Sequence, residues 1–149
     1  MAQVSSITNA KWSPGKTAGV IRLISDTAVN DPHKSLEVPA GYVWDVQHAY
    51  CVYAADATVG NRQVVLQVRD DLDTVIAVFP AAAVQTASTT EYYTWGSTHD
   101  LTETVAGYHH LPLIPKILPE GYDLWFYDSA AISATDDTTI YALVIEYPA

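Results

Sequence analysis

Residues 62–69 alternate in hydrophobicity, with Val64, Leu66 and Val68 on one side against Gln63, Gln67 and Arg69 on the other; Val65 is the exception. A period of two over that length predicts a strand with one buried and one wet face. Residues 42–53 alternate less cleanly. Tyr42, Trp44, Val46, His48, Tyr50 and Val52 share one side, and Val43, Asp45, Gln47, Ala49, Cys51 and Tyr53 the other. Apolar residues on both sides predict a central or covered strand. In residues 138–147 Tyr141, Leu143, Ile145 and Tyr147 oppose Ile140, Ala142 and Val144, so this strand is expected to be buried on both faces. Shorter strands are predicted at 19–25, 36–38, 74–79, 91–95, 109–113 and 122–128, bounded by Pro, Gly, Asn and Asp turns. Pro80 followed by three alanines predicts the one helical turn, since Pro is tolerated at a first helical position. Three-turn helical periodicity is almost absent, so the chain is read as all-β.

The chain also echoes itself. Val38-Pro39-Ala40-Gly41-Tyr42-Val43-Trp44 is matched 80 positions later by Leu118-Pro119-Glu120-Gly121-Tyr122-Asp123-Leu124-Trp125. Each copy enters a strand and then an Asp/Ala/Thr loop, residues 55–61 in the first and 131–137 in the second. Two such units suggest corresponding strands in the two halves of a sandwich, as in a jelly roll; the alternative is a turn motif recurring by chance. The expectation is a single-domain β-sandwich over residues 19–149, a jelly roll of about eight strands, preceded by an extended N-terminal arm over residues 1–18.

Composition narrows the function. The 149 residues suit one domain. Seven Lys and Arg against seventeen Asp and Glu leave a net charge of −10, which disfavours nucleic acid and anionic membrane as partners. Only 16% of residues are charged while 49% are hydrophobic, and ten Tyr and four Trp stand against two Phe. Amphipathic rings suit contact surfaces, so part of the surface is expected to meet other proteins. The single Cys51 excludes an internal disulfide. The N-terminal residues show no secretory pattern and no apolar run reaches membrane-spanning length, so synthesis in a cytoplasm is expected.

No nucleophile motif, phosphate-cradling loop or selected carboxylate pair is visible, so no catalytic residue and no cofactor is assigned and the chain is read as a non-enzyme; a small glycosidase is the remaining enzymatic reading. His99-Asp100 and His109-His110 match no metal-ligand spacing, and a pair of His residues leading into Leu-Pro-Leu reads first as a strand entry. Asp70-Asp71-Leu72-Asp73 offers hard oxygens but lacks the glycine and distal Glu of a calcium loop, and reads first as an acidic hairpin turn. Contact residues are expected in two places. Lys11, Trp12 and Lys16 hold two of the seven basic residues ahead of the compact fold, and Tyr93, Trp95 and His99 lie in a Thr/Ser-rich stretch.

The strand entries at Val38-Pro39-Ala40-Gly41-Tyr42 and Leu118-Pro119-Glu120-Gly121-Tyr122, together with Gly60-Asn61-Arg62-Gln63-Val64-Val65-Leu66-Gln67-Val68-Arg69-Asp70, resemble small virion proteins of tailed bacteriophages over residues 35–147. The resemblance implies a jelly-roll decoration (cement) protein on the outer surface of the head, made in the host cytoplasm. Its implied partners are the major capsid protein and further copies of itself, a trimer first, with neither nucleic acid nor membrane. Such modules also occur in tails and fibres, where the same rings would stack on host sugars; that carbohydrate-binding reading is the alternative.

Overall fold

In the computed structural model, residues 18–29, 31–96, 105–113 and 117–149 are described. Ten strands follow in chain order: β1 (Val20–Asp26), β2 (Lys34–Glu37), β3 (Tyr42–Ala54), β4 (Val64–Arg69), β5 (Val75–Pro80), β6 (Thr90–Gly96), β7 (Tyr108–Pro112), β8 (Ile117–Leu118), β9 (Asp123–Asp128) and β10 (Asp137–Pro148). They form two sheets. One runs β1-β10-β3-β6-β7, with β8 also pairing β3, and the other runs β2-β9-β4-β5. The chain crosses between sheets at most connections and the first and last strands pair. Without the short inserts β7 and β8, this is the eight-stranded double Greek key of a jelly roll.

The 80-residue echo has a structural counterpart. β2 pairs β9 as β8 pairs β3; β9 pairs β4 as β3 pairs β10; β4 pairs β5 as β10 pairs β1. Gly41 and Gly121 close the two equivalent turns at φ +80° and +79°, a region that costs an L-residue about 1 kcal/mol or more. The turns lie together, with the Val38 amide donating to the Tyr122 carbonyl at 2.8 Å and the Gly121 amide to the Val38 carbonyl at 3.0 Å.

Between the sheets lies one core, in which Val46, Ala49, Cys51 and Tyr53 of β3 meet Val64, Leu66 and Val68 of β4, Leu124 and Phe126 of β9, and Ile140, Ala142 and Val144 of β10. Four sequence expectations need correction. β3 does not keep one apolar parity: Val144 pairs Val46 while Leu143 pairs His48, so Gln47 is a bulge residue. Trp44 and Val46 therefore point inward on one side of it, and Ala49, Cys51 and Tyr53 on the other. β10 is buried on one face only, because among the described residues no layer covers Tyr141, Leu143, Ile145 and Tyr147; Leu143 is 39% exposed. The outer side of β4 is not wet, since Gln67 is only 9% exposed and bonds to the Tyr127 hydroxyl at 2.6 Å. Finally, residues 80–85 are not helical: Pro80 ends β5 and Gln85 bridges back to Arg62. The two-residue β8 was not anticipated.

Arg62, at the end of the sandwich where the two echo loops meet, is fully buried. Its Nε donates to Asp136 Oδ2 at 2.9 Å and its Nη2 to Asp136 Oδ1 at 3.0 Å and Asp56 Oδ1 at 2.8 Å. Its Nη1 donates to the Thr58 and Gly60 carbonyls, each at 2.8 Å, so every face of the guanidinium is satisfied, which a buried charge requires. The Asp136 hydrogen bonds hold the guanidinium's pKa up.

Candidate docking face

The structure separates the expected contact residues. Lys11, Trp12, Lys16 and His99, with nearly all of the arm over residues 1–18, lie outside the described residues. Tyr93 and Trp95 are a correction: both are fully buried. They share the inward parity of β6, where the Tyr93 hydroxyl donates to Gln85 Oε1 at 3.0 Å and the Trp95 indole to the Phe79 carbonyl at 3.3 Å. Trp95 also meets Phe126 edge-on at 5.7 Å between centroids. Burial pushes the Tyr93 phenol far above its usual range, with the neighbouring Glu91 acting in the same direction. Neither ring reaches a surface of this chain.

Surface rings occur elsewhere, on the outward side of the larger sheet. Pairing and parity place Ile21 and Leu23 of β1 beside Ile145 and Leu143 of β10, then His48, Tyr50 and Val52 of β3, Thr94 and Tyr92 of β6, and His110 and Tyr108 of β7. Ile21 is 72% and Leu23 66% exposed. Tyr92 stacks on Tyr108 at 4.5 Å, and Tyr50 meets Tyr141 at 5.8 Å. In a chain of charge −10, the outward positions of these five strands carry two formal charges, Asp137 at the start of β10 and Asp45 of β3, which pairs with Ile145 in the row of Ile21. Charge depletion with tyrosine enrichment marks the centre of a protein interface rather than a solvated sheet face.

A shallow groove of about 280 Å³ opens in the middle of this face, lined by Leu23, His48, Tyr50, Tyr141 and Leu143. The bulge at Gln47 builds it: were Gln47 an ordinary alternating residue, His48, Tyr50 and Val52 would face the core with Val46, and Ala49, Cys51 and Tyr53 would face out. Partial burial and the surrounding tyrosines raise the Tyr50 phenol's pKa, so at neutral pH the hydroxyl is a neutral hydrogen-bonding group at the rim of an apolar recess. Such a recess accepts an apolar side chain from a partner.

On the outer side of the smaller sheet, Trp125 and Tyr127 stack on each other at 4.3 Å with 8° between planes, and the Arg69 guanidinium lies 4.5 Å from the Trp125 centroid. Arg69 also pairs with Asp123. The two faces of the Trp125 ring are thus occupied from within the chain, and a sugar ring has no open face of Trp125 to stack upon. His109 bonds Glu91 at 2.6 Å and stacks on Tyr93. Among the described residues no three His, Cys, Asp or Glu side chains gather into a metal-holding group. Asp70 closes the acidic hairpin turn by accepting from the Leu72 and Thr74 amides at 2.9 and 2.8 Å.

The docking face was half legible in the sequence. The grouping of Tyr141, Leu143, Ile145 and Tyr147 on one side of β10 follows from alternation alone; that no described residue forms a layer over them does not. Tyr50 and His48 could be assigned to the face only with the bulge known.

No family model matches the chain, and no curated protein does. Among solved structures, that of PfGH50B aligns with 90% of this chain at 8% identity and a TM-score of 0.35, and the chain spans 22% of that structure's length. So loose a superposition carries no functional argument.

Proposed function

We propose that the chain is a virion structural protein of a tailed phage, a decoration protein that docks on the outer surface of the head through the charge-poor outward face of its larger sheet. The observation that carries this reading is the face itself: apolar, rich in tyrosine, carrying only Asp45 and Asp137 as formal charges at its outward strand positions, and grooved at its centre. The phage resemblance of residues 35–147 supplies the setting. The net charge of −10 favours the outside of a shell over the DNA-filled inside.

Five strands about 4.8 Å apart and some 25 Å long give a face of roughly 600 Å², or about 1,200 Å² counting both partners. That is the low end for a specific interface. A shell offers the same site many times, so copies joined to one another gain by avidity what one contact lacks. The carbohydrate-binding alternative has lost Trp95 to the core and the faces of Trp125 to Tyr127 and Arg69, and among the described residues it rests on the face tyrosines.

The test is co-sedimentation of purified protein with heads that lack it, alongside antibody-gold labelling of complete virions. The wild type is expected to saturate the heads and label their surface, and Leu143→Glu to leave the protein in the supernatant. Failure of the wild type to bind, or label confined to the tail tip, overturns the reading.

A further inference from the structure

We infer that the free edge of β5 is a homotypic pairing site, at which a second copy of this chain adds its own β5 antiparallel about a two-fold axis and joins the two smaller sheets into one of eight strands. The inference does not rest on the virion reading, and it concerns an edge on the opposite sheet from the docking face.

Among the described residues β5 is the outermost strand of the order β2-β9-β4-β5, with β4 its one pairing strand. An open edge presents unpaired N–H and C=O groups, and proteins that stay apart blunt such edges with charges or very short strands. The other edges here are blunted: β1 carries Arg22 and Asp26, β2 is four residues long with Lys34 and Glu37, and β7 has five residues ending in Pro112. β5 ends in Pro80 and has a pairing irregularity near Ile76, but it carries no charged guard. The chain from Thr74 to Thr90 contains no charged residue, and Val75, Ile76 and Val78 are 46%, 49% and 50% exposed.

The backbone fixes where a partner strand would pair. The Ala81 amide donates inward to the Val64 carbonyl at 2.9 Å, so alternation turns the Ala77 and Phe79 amides toward β4 and leaves the Val78 N–H and C=O on the open edge. Pro80, which has no N–H, falls at the same outward parity, the position a sheet edge tolerates. A two-fold axis beside Val78 lets it exchange two hydrogen bonds with Val78 of the partner subunit, an isologous contact that closes at two copies.

The register about Val78 is self-complementary, which makes a second copy the occupant, and charge permits it. The acidic turn Asp70-Asp71-Leu72-Asp73 precedes β5. Antiparallel pairing about Val78 sets the two turns at opposite ends of the seam, each some 16 Å from the axis at 3.3 Å per residue. Their separation of roughly 30 Å exceeds the Debye length of about 8 Å at physiological salt. Two chains of charge −10 can therefore meet along this seam without acidic groups facing each other, with β-branched side chains lining both sides of it.

Sedimentation velocity of the full chain over a hundredfold concentration range tests this, with Val78→Lys, Val78→Pro and Leu143→Lys beside the wild type. Val78→Pro removes only an N–H that β4 does not use, and far-UV circular dichroism checks that each variant is folded. The expected result is a monomer–dimer equilibrium in the wild type and in Leu143→Lys, shifted toward monomer at least tenfold in both Val78 variants. A wild type that stays monomeric, a trimer, or a dimer lost in Leu143→Lys but kept in folded Val78 variants overturns the inference. Val78→Lys that is monomeric yet still binds heads separates this site from the docking face.

Discussion

Asp56 and Asp136, 80 positions apart and equivalent in the two echo units, sit on the same guanidinium: both carboxylates accept from Arg62, and the Asp56 amide donates to Asp136 Oδ1 at 2.8 Å. The two loops are thus tied by one buried cation at the end of the sandwich. Asp136 is fully buried, and Tyr53 donates to it as well, at 3.0 Å. Removing the cation strands a buried charge. Arg62→Ala is expected to cost about 3–5 kcal/mol, the range for breaking a buried pair from one side, measured as the loss of unfolding free energy in urea. A loss under about 1 kcal/mol would show that the loops hold without it.

Asp56 also gives the protein an acid sensitivity. Hydrogen bonds from Ser133, Thr135 and the Thr58 amide hold its carboxyl far below the ordinary Asp value, and the Thr74 and Leu72 amides lower that of Asp70. A depressed folded value contributes stability that is present above the unfolded pKa of about 3.9 and lost as pH falls below it. Urea midpoints are therefore expected to be flat with respect to these groups from pH 7 to 5 and to fall below about pH 4. The fall is expected to be smaller in Asp56→Asn. An equal fall in both proteins would remove Asp56 from the account.

How much of this was legible follows from what alternation can report. Period two located nine of the ten strands, because each carries its own pattern; β8 is too short to carry one. The pattern in β3 failed at Gln47, where one inserted residue swaps the faces and no local signal marks it. Tyr93 and Trp95 share the parity of the core, yet the Ser/Thr-rich residues after them made the stretch read as a contact loop. Arg62 has the parity of Val64, Leu66 and Val68, yet alternation alone does not mark an arginine as buried, since its burial depends on two carboxylates arriving from distant loops.

Leu23 and Trp95 separate surface from core. Leu23 is 66% exposed and Trp95 fully buried. Leu23→Ser is expected to change stability by no more than about 0.5 kcal/mol and to weaken head binding. Trp95→Ala leaves a cavity facing Phe126 and is expected to cost about 3–5 kcal/mol. Thermal unfolding with head co-sedimentation of the folded fraction checks both; a Leu23→Ser protein that binds as the wild type does would place docking elsewhere.

Cys51 is fully buried in β3, and that burial pushes its thiol well above the usual cysteine range. The thiolate is the reactive form, so Ellman's reagent is expected to find no reactive thiol in the native protein and one per chain in denaturant. Rapid native labelling would mean that β3 opens on the timescale of the assay.

The two turn glycines offer the finest comparison, because they share a conformation and differ in surroundings. Gly41 and Gly121 adopt φ +80° and +79°, so alanine at either meets the same backbone penalty of about 1 kcal/mol. A Cβ at Gly41 would meet nothing within 4 Å, whereas at Gly121 it would come 3.0 Å from the Asp71 Cβ. Asp71 belongs to the acidic turn before β5, whose backbone is fixed by the Asp70 hydrogen bonds, so relief requires that turn to shift. Gly41→Ala is expected to lower stability by about 1 kcal/mol and Gly121→Ala by clearly more, both read from urea unfolding. Equal losses would mean that the acidic turn yields freely and that strain in the backbone alone sets the cost at both positions.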